Sequence, residues 1–235
     1  IALIAEHAII IMEYFDGISI NKSFWDAVRW HFISRKNISW LIDLIQNVSK
    51  IILEMQSLDR GSCNLMSAGG VWYSSFLEDQ LSELSDLGLN SELSDTIRKK
   101  FNDALPDFLS KENQCFQHTD LYFNNILYGN GVYCVLDLPN ACWGSRYWDI
   151  SHMLVSLDDY KLFRNVDHGI IDECKREVMR HFILDHFLID TMQLLHTCFS
   201  CRLNILAYNG YKRKILSRDP GTFFKGRLNS LIKEL

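Results

Sequence analysis

Three oxygen-bearing side chains in the middle of the sequence, Asp120, Asn125 and Asp137, are of the types that assist reactions at a metal ion. Carboxylate and amide oxygens are the ligands that Mg²⁺ prefers, and Mg²⁺ usually takes only one or two of them from a protein, while phosphate oxygens and water complete its octahedron. Asn125 and Asp137 are therefore candidate Mg²⁺ ligands. Asp120 remains available to orient a hydroxyl nucleophile and to accept its proton.

A predicted β-hairpin would position these residues. Two β-rich segments, 125–128 and 132–137, flank the sequence Gly-Asn-Gly at 129–131, and Asn-Gly is a strong hairpin signal. The strand ends away from the turn lie side by side in a hairpin, so Asn125 and Asp137 become neighbours. The sequence thus predicts that the candidate metal ligands converge at one end of a small hairpin.

The rest of the sequence mostly has the apolar spacing of helices. This spacing predicts helices at about 21–31, 38–55, 71–87 and 91–109, and further helical runs between 147 and 235. One of these runs extends from Val178 to Phe187 and contains His181 and His186. The apolar start, residues 1–12, predicts a buried strand pair or one strand with its lead-in. We therefore expect a mainly α fold with a small β-hairpin.

The combined pattern resembles the catalytic loop of kinases, His-x-Asp-x-x-x-x-Asn with a metal-binding Asp further on. HTDLYFNNIL, residues 118–127, is similar to the loop His-Gly-Asp-x-x-x-x-Asn-Ile/Leu-Leu of the aminoglycoside phosphotransferase and choline kinase-like family, and the segment from Gly144 to Asp149 is similar to its later Gly-x-x-x-x-Asp. These proteins are small-molecule kinases with a protein-kinase-like fold. The resemblance implies a phosphotransferase that uses ATP and Mg²⁺ to phosphorylate a hydroxyl of an aminoglycoside, an amino alcohol such as choline, or a sugar.

The resemblance also implies a role for each matching residue. Asp120 would be the catalytic base, and Asn125 and Asp137 would be the Mg²⁺ ligands. His118 would hold the catalytic loop by hydrogen bonding, and Asp149 would tie the same loop to the following helix.

The apolar start resembles the strand and hinge that join the two lobes of this family. By this resemblance, Met12 would lie at the back of the adenine pocket, while backbone groups of Glu13 and Phe15 would pair with the adenine edge. Residues 1–17 would then be the last strand of the N-terminal lobe together with the interlobe hinge.

Residues 18–235 would form the helical C-terminal lobe of a protein-kinase-like α+β fold, with a catalytic loop at 118–125 and a metal-binding hairpin at 125–137. The N-terminal lobe is largely absent, since only eleven residues precede Met12, none of them is a lysine, and they contain no Gly-rich loop. Phosphoryl transfer depends on a Lys that contacts the phosphates of the nucleotide. We therefore expect the C-terminal lobe of a longer enzyme, inactive as this fragment alone, rather than a degenerate protein.

The sequence departs from the family pattern at three places. Thr119 stands where Gly or Arg is usual, Tyr-Phe-Asn at 122–124 replaces the common His-Pro-Gly, and Leu-Pro at 138–139 follows the metal-binding Asp. None of these changes removes a charged catalytic group. The triplet lies where the acceptor hydroxyl would enter, so it bears on the choice of acceptor.

Acidic and aromatic residues of the helical lobe are candidates for contacting a cationic acceptor. The acidic candidates are Asp158, Asp159 and Asp185. The aromatic candidates, which could equally be core residues, are Trp143, Tyr147 and Trp148.

Composition excludes some classes of partner. The sequence has 24 Lys and Arg against 29 Asp and Glu, a formal net charge of −5, so no positive field exists to attract nucleic acid. The apolar run at 1–12 is shorter than the roughly 20 residues that span a bilayer, which argues against a membrane protein.

The cysteines favour a reducing compartment, and we expect a cytoplasmic protein. There are seven, an odd number scattered through the sequence, which is typical of reduced thiols in a chain large enough to fold without disulfides. Cys198 and Cys201 form a CxxC with no second CxxC elsewhere, so two cysteines half-buried in a helix are a better interpretation than a zinc or redox site.

Two other functions remain open. A pseudokinase-like module would bind a nucleotide or a partner without phosphoryl transfer, and it would lack a Gly-rich hairpin and a strand Lys upstream. A metal-dependent phosphohydrolase would use His118, Asp120 and Asp137, and it would hydrolyse phosphoesters without a nucleotide.

Overall fold

The computed structural model describes residues 2–4, 9–11, 15–34, 39–60, 65–86, 88–163, 165–207 and 220–234. Most of these residues form eight α-helices: α1 Ile20–Ser34, α2 Ser39–Gln56, α3 Gly70–Asp86, α4 Ser91–Phe108, α5 Tyr147–Asp159, α6 His168–Arg180, α7 His186–Ala207 and α8 Pro220–Glu234. Seven short strands accompany them: β1 Ala2–Ile4, β2 Ile9–Ile11, β3 Ile18–Ser19, β4 Gln114–Gln117, β5 Ile126–Gly129, β6 Val132–Val135 and β7 Cys142–Ser145. The prediction of a mainly helical fold with few strands is confirmed.

Helix α2 shows how apolar spacing builds the core. It covers nearly the same residues as the predicted helix at 38–55, and its apolar residues recur at three- and four-residue intervals, so they share one face. The apolar residues buried on this face are Leu41, Leu44, Ile45, Val48 and Ile52. The start of α4 is set by Asn90, whose side chain accepts a hydrogen bond from the backbone N–H of Leu93 at 2.8 Å.

The predicted hairpin at 125–137 is present as β5 and β6. Ile126 pairs with Val135, and the turn residues Asn130 and Gly131 have φ values of 51° and 79°. Two positive φ values in succession define the turn that Asn-Gly favours, because Asn and Gly adopt the left-handed region more easily than other residues. This turn aligns the two strands antiparallel and so brings their far ends together.

The other strands are not visible in the sequence pattern. β3 has only two residues, and it joins β5 and β6 in a three-stranded sheet. β4 pairs with β7, and almost all of their residues are buried, so neither shows an alternation of apolar and polar side chains. The β4–β7 pair holds the chain on either side of the segment that contains the hairpin. At the start of the chain, β1 and β2 form a strand pair.

The prediction of one helical run through Val178 and Phe187 is wrong. Helix α6 ends at Arg180 and α7 begins at His186, so His181 and His186 do not share a helix. Asp185 accounts for the new start, since its side chain accepts a hydrogen bond from the backbone N–H of Leu188 at 3.1 Å, as a helix N-cap does. Apolar periodicity can continue across such a break, because both segments face the same core.

Helix α7 occupies the centre of the helical body. It packs against α3, α4, α5 and α8. Its residues Cys198 and Cys201 are buried, and none of the six cysteines in the described part of the chain forms a disulfide. None of the helices described above combines the length and the apolar content that crossing a bilayer requires.

Two stacked histidines join α5 to α7 in the core. The rings of His152 and His196 lie 4.9 Å apart at an angle of 7°, and the Tyr122 ring meets His152 edge-on at 4.1 Å. Burial lowers the pKa of His152 to about 3, and it also lowers the pKa of His196 well below its usual value. Both imidazoles are therefore held neutral in the folded protein.

Because of this buried histidine pair, we expect the folded protein to be less stable in mild acid. Below about pH 6.5 the unfolded chain binds protons at these histidines and the folded chain does not, so falling pH favours unfolding. Between pH 7 and pH 5 each buried histidine should contribute about 2 kcal/mol to the fall in the free energy of unfolding. Urea unfolding at the two pH values should show a smaller fall for His196→Phe than for wild type. The exposed His186, replaced in the same way, is the control, and equal falls in all three proteins would contradict the prediction.

Candidate active site

Asp149 anchors the predicted catalytic loop from the first turn of α5. Its two carboxylate oxygens accept hydrogen bonds from the backbone N–H groups of His118 at 2.7 Å and Thr119 at 3.0 Å. The side chain is buried, and burial raises its pKa, while the two backbone donors and His118 act in the opposite direction. The loop is thus fastened to the helix by two hydrogen bonds, one to each carboxylate oxygen, between residues about 30 positions apart in sequence.

His118 fastens the same loop to the hairpin. Its Nε2 lies 2.7 Å from the carbonyl oxygen of Leu136, and its Nδ1 lies 3.3 Å from the backbone N of Asp120. In the tautomer that satisfies both contacts, Nε2 donates to Leu136 and Nδ1 accepts from the Asp120 N–H. The ring is completely buried, which suits a positioning role better than that of a proton acceptor for a substrate.

Asp120 and Asn125 contact each other across the loop. The Asn125 Nδ2 donates to the backbone carbonyl of Asp120 at 2.8 Å and to its Oδ2 at 3.3 Å. Because the amide nitrogen is used within the loop, the Asn125 Oδ1 remains available as an acceptor. Burial raises the pKa of Asp120, and the nearby Asp137 carboxylate raises it further, while His118 and Asn125 oppose the shift.

Asp137 follows the second hairpin strand, where the sequence predicted it. The backbone N–H of Leu136 donates to the carbonyl of Asn125 at 2.8 Å, so the residues at this end of the hairpin are adjacent. Asp137 is exposed and has a φ of 62°, a left-handed conformation that turns the chain away from the strand. The hairpin therefore brings Asn125 and Asp137 together beside Asp120.

The donor set fits Mg²⁺ with few protein ligands. Within the described ranges, no three His, Cys, Asp or Glu side chains form a metal-binding group. The oxygens of Asn125 and Asp137 match the one or two protein ligands that Mg²⁺ usually takes when phosphate oxygens and water supply the rest. The residues present are thus compatible with a Mg²⁺ ion held jointly with a phosphate.

Thr119 has a strained backbone, at a position where glycine is common in the family pattern. Its φ is 71°, a region that β-branched residues rarely adopt and that glycine adopts freely. Contacts on three sides hold it there: Asp149 accepts from its N–H, the Trp148 Nε1 donates to its carbonyl at 3.0 Å, and its hydroxyl donates to the carbonyl of Asn140 at 3.1 Å. Strain of this kind concentrates at functional loops.

Gly144 lies at a close approach that no larger residue would allow. A Cβ atom at this position would come within 2.6 Å of the Gln117 side chain and of the Tyr73 hydroxyl. That hydroxyl accepts a hydrogen bond from the backbone N–H of Ser145 at 2.7 Å and donates to Gln117 at 3.2 Å. Tyr73 and Gln117 thus support the strand that leads to Asp149, and sequence reasoning did not single out either of them.

Replacing Asp149 should destabilise the protein and loosen the loop. In Asp149→Ala the N–H groups of His118 and Thr119 lose their acceptor in a buried position, and leaving buried donors unpaired should lower the free energy of unfolding by about 3 kcal/mol. Asp149→Asn keeps one acceptor oxygen and should cost less. Chemical denaturation of the three proteins measures both effects, and equal stability of wild type and Asp149→Ala would contradict this role.

The predicted adenine contacts are only partly within the structure. Met12 and Glu13 lie outside the described residues. Phe15 is half-buried, and its carbonyl accepts a hydrogen bond from the backbone N–H of Gly17 at 3.1 Å in a tight turn before β3. The adenine-binding role of these three residues stays a prediction.

The aromatic candidates for an acceptor wall are core residues. They are all at most 4% exposed: Trp143, Tyr147 and Trp148. The acidic candidates have three different surroundings. Asp185 is exposed and caps α7, Asp158 is buried among cations, and Asp159 lines a pocket.

The Asp159 pocket lies beside the catalytic loop and has a volume of about 170 Å³. The aromatic rings that line it are Trp25, Tyr122, Phe123, Tyr160 and Phe163. The Asp159 Oδ2 accepts hydrogen bonds from Ser200 and, at 3.4 Å, from Asn204, whereas its buried Oδ1 has no hydrogen-bond partner in the described part of the chain. Burial raises the pKa of Asp159 to about 7, against the opposing effect of the Ser200 hydroxyl.

The helical body, the anchored loop and the hairpin together define a protein-kinase-like fold. Residues 29–173 match the sequence profile of the phosphotransferase enzyme family, APH. Because this match covers more than half of the chain, the chain belongs to that family. No curated protein matches the sequence significantly.

Solved kinase structures share this fold. A choline/ethanolamine kinase family protein from Mesorhizobium loti is similar with a TM-score of 0.59 and 13% identity, covering 99% of this chain and 71% of that chain. Choline kinase LicA from Streptococcus pneumoniae is similar with a TM-score of 0.54 and 10% identity, covering 85% of this chain and 66% of that chain. The present chain thus spans slightly less than two thirds of the length of the Streptococcus kinase.

Proposed function

We propose that this protein, in its full-length form, transfers the terminal phosphoryl group of ATP to a hydroxyl of a small molecule. The observation that supports this most is the position of Asp120 beside Asn125 and Asp137 at the end of the β5–β6 hairpin. In this proposal Asn125 and Asp137 hold Mg²⁺, which when bound neutralises charge on the phosphate oxygens. Asp120 orients the acceptor hydroxyl and takes its proton.

The environment of Asp120 suits a general base. The carboxylate is half-buried, and burial raises its pKa, with Asp137 adding to the effect. A carboxylate with a higher pKa accepts a proton more readily, and such bases work best when their pKa approaches the working pH. His118 and Asp149 act as positioning residues, because each makes a hydrogen bond that holds the loop and both side chains are buried.

We further propose that residues 18–235 are the C-terminal lobe of a two-lobed kinase, with residues 1–17 as its last N-terminal strand and hinge. The coverage of 66% and 71% of two solved kinase chains supports this division. No residue of this chain is assigned to a Gly-rich loop or to the phosphate-binding Lys. We therefore expect the 235 residues alone to be inactive.

The acceptor that the site favours is a small cationic amino alcohol. Aromatic faces and a carboxylate together attract an ammonium group, and Asp159, whose Oδ1 has no hydrogen-bond partner among the described residues, lines this pocket with five aromatic rings. Tyr122 lines the same pocket two residues after Asp120, so an acceptor held there lies next to the proposed base. A volume of about 170 Å³ is below the roughly 300–1,000 Å³ of drug-sized pockets, which favours an amino alcohol over a whole aminoglycoside.

An assay of the full-length protein tests the proposed reaction. ATP and MgCl₂ are supplied with each member of a panel of amino alcohols, aminoglycosides and sugars, and ADP and phosphorylated product are measured. We expect product from at least one amino alcohol and none after EDTA is added. Nucleotide binding without any product would instead support a pseudokinase-like module. Hydrolysis of phosphoesters without a nucleotide would support a phosphohydrolase.

Asp159→Asn should raise the KM for a cationic acceptor by about tenfold and leave the KM for ATP nearly unchanged, because it removes one charge-assisted contact. In wild type the acceptor should bind more weakly below pH 7, since the carboxyl with its raised pKa then becomes neutral. Asp185→Asn is the matched control, because asparagine still caps α7. An acceptor KM that is the same in all three proteins would rule out contact with Asp159.

A further inference from the structure

A second and larger cavity lies at the other end of α5. It is an open cleft of about 700 Å³ between α5, α6, α7 and α8. Asp158, near the C-terminal end of α5, lines this cleft, whereas Asp149 in the first turn of the helix anchors the catalytic loop. The two residues are nine positions apart, so the cleft is roughly 13 Å along the helix from that anchor, at about 1.5 Å per residue.

Three cations in the cleft share one buried carboxylate. Asp158, whose side chain is 6% exposed, lies 3.1 Å from the Lys161 Nζ, 2.5 Å from the Lys175 Nζ and 2.8 Å from the Arg227 Nη2. Lys161 also contacts Asp172, at the rim. Among the described residues, these three cations form ion pairs with two carboxylates, so the cations outnumber their ion-paired carboxylates by one. Arg227 also acts electrostatically on the neighbouring carboxyl of Asp159, whose pKa burial raises to about 7.

The cations are crowded and incompletely paired. The Arg227 Nη2 is buried 2.8 Å from the Asp158 carboxylate in a contact that does not have hydrogen-bond geometry, and its Nη1 donates only a long hydrogen bond, at 3.5 Å, to the carbonyl of Val155. Burial lowers the pKa of Lys175, and the neighbouring Arg227 and Lys161 lower it further, against the effect of Asp158. A buried cation without a full set of partners is costly, so a second anion in the cleft would be stabilising.

We propose that this cleft binds a small phosphorylated organic anion, at a site separate from the catalytic loop. Phosphate oxygens accept charge-assisted hydrogen bonds from ammonium and guanidinium groups, which Lys161, Lys175 and Arg227 supply from three different elements. Phe223 of α8 lines the same cleft and offers an apolar surface for the organic part. The volume falls in the roughly 300–1,000 Å³ range of small-molecule sites.

Two substitutions separate ligand binding from folding. Lys161→Gln removes one cation and leaves Lys175 and Arg227 paired with Asp158. Gly226→Phe keeps every charge and fills the cleft, because Gly226 lines it and a Cβ atom there would meet nothing within 4 Å. Replacing a glycine inside a helix also favours the helix, so this variant should fold.

The test is isothermal titration of the full-length protein with pyrophosphate and with glycerol 3-phosphate, in EDTA so that no metal-dependent binding contributes. Wild type should bind both ligands saturably. Lys161→Gln should bind both about tenfold more weakly, and Gly226→Phe should lose glycerol 3-phosphate. The exposed Lys99, changed to Gln, provides the matched control and should bind as wild type does.

The absence of saturable binding to wild type at millimolar concentrations would overturn the proposal, and so would unchanged binding in both cleft variants. If pyrophosphate bound and glycerol 3-phosphate did not, the proposal of an organic ligand would be wrong, and the cleft would be a site for inorganic anions. Asp120→Asn should bind both ligands normally, because it lies outside the cleft. Transferase activity does not enter this readout, so a failure of the proposed function and a failure of the cleft site give different results.

Discussion

Asp120→Asn should lower the kcat of the full-length protein by about 10²–10⁴-fold, the usual contribution of a general base. Asparagine has nearly the shape of aspartate but cannot take the proton of the acceptor hydroxyl. The loop should keep its conformation, because Asn125 still donates to the backbone carbonyl of residue 120, as it does at 2.8 Å in the wild type. The free energy of unfolding and the KM for ATP should therefore change little. Steady-state kinetics and chemical denaturation measure the two effects separately.

A matched substitution controls for the removal of one negative charge. Asp103 is exposed on α4, so Asp103→Asn should retain wild-type turnover. If Asp120→Asn kept turnover within about threefold of wild type, the general-base assignment would be wrong, since such catalysis contributes far more. A large fall in kcat accompanied by unfolding would assign Asp120 to the fold instead.

Asp158→Asn should lower the free energy of unfolding at pH 7 by about 3–5 kcal/mol, as breaking a buried ion pair from one side usually does. The substitution leaves Lys161, Lys175 and Arg227 close together without their shared carboxylate. Burial by itself would raise the pKa of Asp158, but the three cations outweigh it, so that the pKa is lowered. The folded protein thus holds this carboxylate in its charged form.

The lowered pKa of Asp158 sets the direction of the pH dependence. Its contribution to stability is complete above the unfolded pKa of about 4 and is lost as the pH falls through the lower, folded pKa. The difference between wild type and Asp158→Asn should accordingly shrink in strong acid. Asp172→Asn removes the half-exposed partner of Lys161 and should cost less than about 1 kcal/mol. Equal losses for the two variants at pH 7 would contradict the buried cluster.

Features that depend on neighbouring residues could be predicted from the sequence. The Asn-Gly pair at 130–131 indicated the hairpin, because its two positive φ values are a local property of that turn. The hairpin in turn indicated that Asn125 and Asp137 are neighbours, and the hydrogen bond from the Leu136 N–H to the Asn125 carbonyl at 2.8 Å joins the chain at that end. Helices with a single apolar face, such as α2, were predicted almost to the residue.

Features that depend on distant partners could not be predicted. The break between α6 and α7 was missed, because the apolar pattern from Val178 to Phe187 continues across it. Tyr73 was not recognised as a support for β7, since its partners Gln117 and Ser145 lie 44 and 72 residues away. Burial likewise removed the alternation by which β4 and β7 could have been recognised.

The sequence by itself thus determined the loop, the hairpin and the positions of the charged groups along the chain, because their geometry follows from short-range backbone preferences. Tertiary structure alone decided what each acidic group faces. Asp158 and Asp159 are adjacent and chemically identical, yet one is surrounded by three cations and the other lines an aromatic pocket with one oxygen unpartnered. Successive residues of a helix point in directions about 100° apart, so packing against different helices gives them different partners.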